Sequence, residues 1–169
     1  IEFDIRHTKD KIALLLHDKD LKRVVKSRLN KTCPTSKKIS KLSYNEIIDN
    51  CILKNGEEIL SLYQALFYLK DTKTTLFIEF KDLPTTNTLE IIEHIIPNPN
   101  RRFIISFKTK ILNFIKNAIH EGIFKHQEHS LFKVYRMFLF INKNFHPDVY
   151  FSNRLFQWHL RRRDPNKLF

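Results

Sequence analysis

The 169-residue chain holds only two glycines and two cysteines, and no apolar run of membrane length. So few glycines leave little backbone free for positive φ, which is unusual for a fold with many tight turns. Cys33 and Cys51 have no CxxC partner, which excludes a disulfide-dense scaffold and a zinc ribbon and says little about redox compartment. Apolar runs such as Leu14 to Leu16 and Met137 to Ile141 fall far short of the roughly 20 residues that a membrane helix needs. No targeting signal is visible.

Acid is scarce as well, with 18 Asp and Glu against 30 Lys and Arg and a net charge of +12. That balance invites an anionic partner, either nucleic acid or a membrane surface. The same chain is rich in Lys, Asn, Ile and Phe together, as a compositionally biased genome produces, so charge alone does not decide the matter. The densest basic cluster, Arg161 to Arg163, reads as a phosphate contact or as a solvated turn.

What is present is a core. Hydrophobic residues make up 42% of the chain, 15 of them Phe, and the length suits one domain. The opening IEFDI alternates: Ile1, Phe3 and Ile5 share one face of an extended strand, and Glu2 and Asp4 share the other, about 7 Å apart. This pattern fits an edge strand with a wet side. It also fits a metal site, because hard cations want carboxylate oxygens held on a rigid element.

A polar turn at 8–11 leads to a second apolar run, Ile12 to Leu16. Residues 26–38, with Pro34, read as an exposed loop. Ser43 and Glu46 form a capping-box pattern, and Ile59, Leu62, Tyr63, Leu66 and Leu69 mark a helical stripe. Residues 75–81 read as a strand, followed by a helix from about Asn87 that must stop before Pro97. A buried strand at 103–107 precedes a helix carrying Ile111, Phe114, Ile115 and Ala118, closed by Gly122. Strand and helix alternating in this way predict parallel α/β architecture. Beyond 123 the best strand candidates are 133–141 and 154–158.

Glu79 repeats the motif of the opening strand, alternating against Ile78 and Phe80 and sharing its face with Lys81. Both acidic strands are expected to present their acids near C-terminal ends, where barrel enzymes keep their sites. Three carboxylates suit Mg²⁺ or Ca²⁺, a nearby lysine suits phosphate, and His17, after the second run, suits proton exchange with a leaving group.

These residues resemble the glycerophosphodiester phosphodiesterase family. The matching pieces are Glu2-Phe3-Asp4, LLLHD with His17 and Asp18, Leu21 and Arg23, GEEILSLYQAL at 56–66, IEFK at 78–81 and IISF at 104–107. The resemblance implies a (β/α)8 TIM barrel of the phosphatidylinositol-phosphodiesterase-like type. It implies Glu2, Asp4 and Glu79 as ligands of one divalent metal ion, Mg²⁺ or Ca²⁺, Lys81 as a phosphate contact and His17 as one of two acid–base histidines. Trp158 would line the substrate pocket, although His159 and Arg161 stand where the family has Thr and Asn. The substrate class would be glycerophosphodiesters, cleaved to an alcohol and glycerol 3-phosphate, as in glycerophospholipid metabolism.

The family's His-Arg-Gly strand, with its second catalytic histidine, is not found in these 169 residues. The expectation is therefore a single partial domain over 1–169, resembling strands two to seven of the barrel, truncated at both ends and inactive as an isolated chain. A decayed gene remnant, or a basic module binding nucleic acid or anionic lipid, is the alternative; nucleic acid is not the expected partner, and the expected location is cytoplasmic. His17-Asp18 also occurs in helical metal phosphohydrolases, but here the pair follows a β-like run. His120, His126 and His129 match no standard zinc spacing and read as surface residues.

Overall fold

The computed structural model describes residues 1–124. In chain order these form β1 (Glu2–His7), β2 (Ala13–Leu15), β3 (Val25–Ser27), α1 (Tyr44–Ile48), β4 (Cys51–Leu53), α2 (Leu62–Leu69), β5 (Leu76–Phe80), α3 (Thr86–Ile95), β6 (Arg102–Ile105) and α4 (Thr109–His120). The main sheet has the order β2-β1-β5-β6. β5 pairs parallel with both β1 and β6, while β2 folds back antiparallel on β1. The result is three successive strand-then-helix units, with residues 8–60 inserted between the first strand and its helix. Parallel neighbours joined through helices are the repeating step of a β/α barrel.

Alternation in the strands decides which face is covered. Ile5, Ile78, Phe80 and Ile104 are buried against Leu66, Leu89, Ile92 and Ile115 of the helices, forming the larger core. The opposite face therefore carries Glu2, Asp4, Phe77, Glu79 and Phe103, with the Phe77 and Phe103 rings stacked at 5.1 Å. In the ladder Asp4 lies opposite Glu79, and one step below them Glu2 lies opposite Phe77, which in turn pairs with Phe103.

Helix boundaries follow local chemistry. Ser43 and Glu46 make the expected capping box on α1, and Ser61 with Gln64 makes a second on α2. That second cap corrects the expected stripe: α2 begins after Ser61, Ile59 belongs to the neighbouring core, and Tyr63 is 54% exposed. α3 stops at Ile95, ahead of Pro97, and Gly122 takes φ 72° just past α4. The shortage of glycine is met elsewhere by non-glycine residues: Lys11, in the β1–β2 turn, and Asn30 adopt φ of 66° and 58°.

The inserted residues build a second core around Leu14, Leu16, Leu21, Leu42 and Ile47. Here the expected exposed loop over 26–38 is corrected in two respects. Val25–Ser27 pairs antiparallel with Cys51–Leu53, and Cys33 is buried in a disulfide with Cys51. Both contacts join segments too far apart in sequence for a local pattern to show them. Among the described residues no helix is long and apolar enough to cross a membrane. The strand candidates at 133–141 and 154–158 lie outside the described residues.

The disulfide closes a loop of 18 residues, for which chain-entropy arguments give about 3 kcal/mol. Reduction, or Cys33→Ser with Cys51→Ser, should lower the urea-unfolding free energy by about 2–4 kcal/mol. Superimposable unfolding curves with and without reductant would refute this.

Candidate active site

The parallel register puts Asp4 and Glu79 side by side, with Glu2 two residues before Asp4 on the same face. One carboxylate oxygen from each of the three lies within 4.8 Å of the others. The expectation that residues 75 positions apart converge is thus met. The expectation about strand ends holds for Glu79, one residue before the end of β5, but not for β1, which runs three residues past Asp4. The reason is the hairpin: the parallel ladder ends at Ile5, and Arg6 and His7 continue only because β2 pairs with them.

Like charges this close oppose one another, and among the described residues Lys81 is the cation in contact with them. Its Nζ lies 2.5 Å from Glu79 Oε1 and 3.0 Å from Asp4 Oδ1. One ammonium does not balance three carboxylates. Burial first, and then the charges of Asp4 and Glu79, push Glu2 up to about 7. Burial likewise raises Glu79, which is 3% exposed, against the opposing pull of Lys81. Asp4 Oδ1 is buried with the Lys81 charge beside it but no hydrogen bond. A crowded, under-neutralised set of hard oxygens on rigid strands fits a divalent cation.

His17 follows β2 immediately. Leu16 donates its backbone N–H to the carbonyl of Asp4 at 3.0 Å, which seats this end of the hairpin beside the acids. His17 Nδ1 is 2.7 Å from Asp18 Oδ1, and Arg23 Nε donates to Asp18 Oδ2 at 2.6 Å. The Arg23 hydrogen bond, aided by that from His17, holds Asp18 down at about 2, so it accepts as a carboxylate and the ring proton sits on Nδ1. The charge of His17 is felt at Glu79, and that of Asp4 at Arg23, as smaller contributions.

Sequence reasoning missed the residues that tie these parts together. Arg6 donates from Nε to the His17 carbonyl at 3.0 Å and from Nη1 to the Lys81 carbonyl at 3.4 Å. Its signal was available, since position 6 continues the face of positions 2 and 4. The buried His7 bonds Asp82 through Nδ1 at 2.5 Å and Thr88 through Nε2 at 3.0 Å, clasping β1 to the loop after β5 and to α3. No local pattern announces a pair 75 residues apart. Trp158, Arg161 to Arg163, His126 and His129 lie outside the described residues; His120 is the last residue of α4.

Three parallel β/α units with converging acids on the face away from the helices define part of a TIM-barrel domain with an acidic, cation-ready site. The model of the glycerophosphoryl diester phosphodiesterase family matches residues 1–141, and the chain belongs to that family. No curated protein matches the sequence. Among solved structures, a glycerophosphodiester phosphodiesterase from Agrobacterium tumefaciens is similar with TM-score 0.59 and 20% identity, over 72% of this chain and 51% of that one. One from Parabacteroides distasonis gives 0.54 and 23%, over 69% and 46%. A phosphodiesterase from Oleispira antarctica, solved with the product sn-glycerol-3-phosphate, gives 0.54 and 21%, over 69% and 49%. The chain spans about half the length of these structures.

A raised carboxyl pKa has a definite sign for stability. Because folded Glu2 holds its proton more tightly than unfolded Glu2, the cation-free protein should lose stability as pH rises from about 4.5 to about 7. Asp18 acts in a separate window, its contribution being lost only as pH falls from 3.8 toward about 2. Thermal unfolding in chelator at pH 5 and pH 7.5 tests this. Glu2→Gln should flatten the difference, and a wild-type melting temperature that rises across that interval would contradict it.

Proposed function

We propose that this chain is the Glu2–Asp4–Glu79 portion of a metal-dependent glycerophosphodiester phosphodiesterase, and that these three carboxylates hold one divalent ion, Mg²⁺ or Ca²⁺. The observation that carries this reading is their convergence within 4.8 Å around Lys81. A divalent ion bound there supplies charge neutralisation and polarises the phosphoryl oxygens. Lys81, whose ammonium lies against Asp4 and Glu79, would contact a phosphate oxygen, as a compact point charge on a flexible stem can.

His17 in its imidazolium form, Nδ1–H fixed on Asp18, would give its Nε2 proton to the oxygen of the leaving alcohol as the substrate's own glycerol hydroxyl bonds to phosphorus and the P–O bond to that alcohol breaks, the hydroxyl proton passing to the second histidine that the family resemblance implies. Arg23 keeps Asp18 ionised and in place, and Arg6 holds His17 and Lys81 at a set separation. The substrate class rests on family membership and on the glycerol 3-phosphate bound by the Oleispira relative. The family match over 1–141 supports reading 1–169 as one partial domain. A Cys33–Cys51 bridge favours an oxidising compartment over the cytoplasm.

Since the 169 residues supply one acid–base histidine where the resemblance implies two, the chain alone should bind cation and sn-glycerol 3-phosphate without turnover. Calorimetric titration with Ca²⁺ and Mg²⁺ should give one site per chain, weakened at least about tenfold by Glu79→Gln. No saturable ion binding would remove the proposal. Release of glycerol 3-phosphate from a diester by the isolated chain would overturn the expected inactivity.

A further inference from the structure

Basic charge is not spread evenly along the chain. Residues 19–41 hold seven lysines and two arginines against a single acid, Asp20. The other residues of 1–124 hold 12 basic and 14 acidic side chains, so the excess of the described part comes from this one stretch of the insert. A compositional drift of the genome scatters lysine along a chain and does not gather it. Residues 125–169 carry nine Lys and Arg against three Asp and Glu, too few acids to neutralise the stretch.

Folding turns the stretch into a surface. Ile39 donates its N–H to the Lys19 carbonyl at 2.9 Å and Leu21 donates to the Thr35 carbonyl at 3.2 Å, which lays Lys37 and Lys38 alongside Lys19. Leu21 and Ile39 are buried in the second core, and all seven lysines are exposed. Between these two segments lies a turn, Arg28 to Lys31, closed by the Lys31 N–H on the Arg28 carbonyl at 3.1 Å with Asn30 at φ 58°. Its Leu29 is 90% exposed. The turn is anchored: Arg28 donates from its backbone to the Asn50 carbonyl at 2.9 Å and from Nη1 to Glu58 at 2.9 Å, and Cys33 N–H donates to Ser27 Oγ at 3.0 Å. The four residues of chain from Lys31 to Thr35 reach at most about 14 Å, so the leucine and the lysine edge share one neighbourhood.

We infer that residues 19–41 form a docking surface for an anionic lipid bilayer, with the lysines against the headgroups and Leu29 entering the interface. Two observations select a bilayer over a nucleic acid. The arginines, whose forks suit a fixed phosphate, are engaged by Asp18 and Glu58, so the charge presented is that of lysines, hydrated point charges suited to a diffuse layer of headgroups. Leu29, held at the tip of a rigid basic turn, gains nothing from water or from a phosphate backbone and gains on entering an apolar interface. His17 stands two residues before Lys19, within about 7 Å along the chain, so docking brings that histidine to the headgroups. The inference stands whether or not the diesterase reading does.

The test is cosedimentation of the 169-residue protein with vesicles of phosphatidylcholine alone and of phosphatidylcholine with phosphatidylserine, at about 0.1 M NaCl, where a Debye length of about 10 Å limits the effect to charges at the contact. Binding should require the phosphatidylserine. Each lysine at such a surface strengthens binding about fivefold, so Lys19→Gln with Lys37→Gln and Lys38→Gln should weaken it about a hundredfold. Leu29→Ser should weaken it about fivefold or more. Removing the same charge elsewhere, by Lys70→Gln with Lys73→Gln and Lys110→Gln, should change it by less than about threefold. All these positions are exposed, and circular dichroism checks that each variant keeps the fold. Absent or equal binding to the two vesicles, equal losses from the two triple variants, or indifference to Leu29→Ser would overturn the surface. Tighter binding to a DNA duplex than to the anionic vesicles, lost with the same three lysines, would replace the bilayer by nucleic acid.

Discussion

Three carboxylates crowded on one face of a parallel sheet, with the ammonium of Lys81 against two of them, set the terms for the rest of this structure. Such an arrangement is costly in a folded protein, because each acid is partly stripped of water beside two others. It persists because the strands that hold it are locked from the other side. Ile5, Ile78 and Phe80 are buried among the helices, and slipping any strand by one residue would turn those apolar groups toward the acids. The apolar face thus enforces the register that the charged face resists.

The inserted residues 8–60 complete the site from a second direction. Their small core, stapled by Cys33–Cys51, carries the end of β2 with His17 and the turn with Lys54. Two bonds connect this unit to the sheet at the site itself: Leu16 to the Asp4 carbonyl, and Arg6 to the His17 carbonyl. A histidine that is 43% exposed at its side chain is oriented by Asp18 and Arg23 rather than by packing. The sheet strands thus hold the three carboxylates and Lys81, and the insert holds His17.

Membership of the glycerophosphoryl diester phosphodiesterase family rests on a match over most of the chain, whereas the solved structures, all sharing low identity, speak to the fold. The features that would distinguish this member are in its own residues. Lys54 and Leu53, which line a cleft beside His17, belong to the insert.

Alternation with period two made Glu2, Asp4, Glu79 and Lys81 legible, because side-chain direction in a strand is a local property of the backbone. Capping at Ser43, the stop before Pro97 and the turn at Gly122 were legible for the same reason. The β3–β4 pairing, the Cys33–Cys51 bridge, the His7–Asp82 clasp and the bridging by Arg6 were not, since each joins residues whose neighbourhood exists only after the chain has folded. The amino-acid sequence by itself determined which face of each strand is charged and which is greasy. Only the tertiary structure decided that Asp4 stands beside Glu79 with the end of the hairpin that carries His17 bonded to Asp4, because convergence is set by strand register and hairpin closure over separations that no local pattern spans.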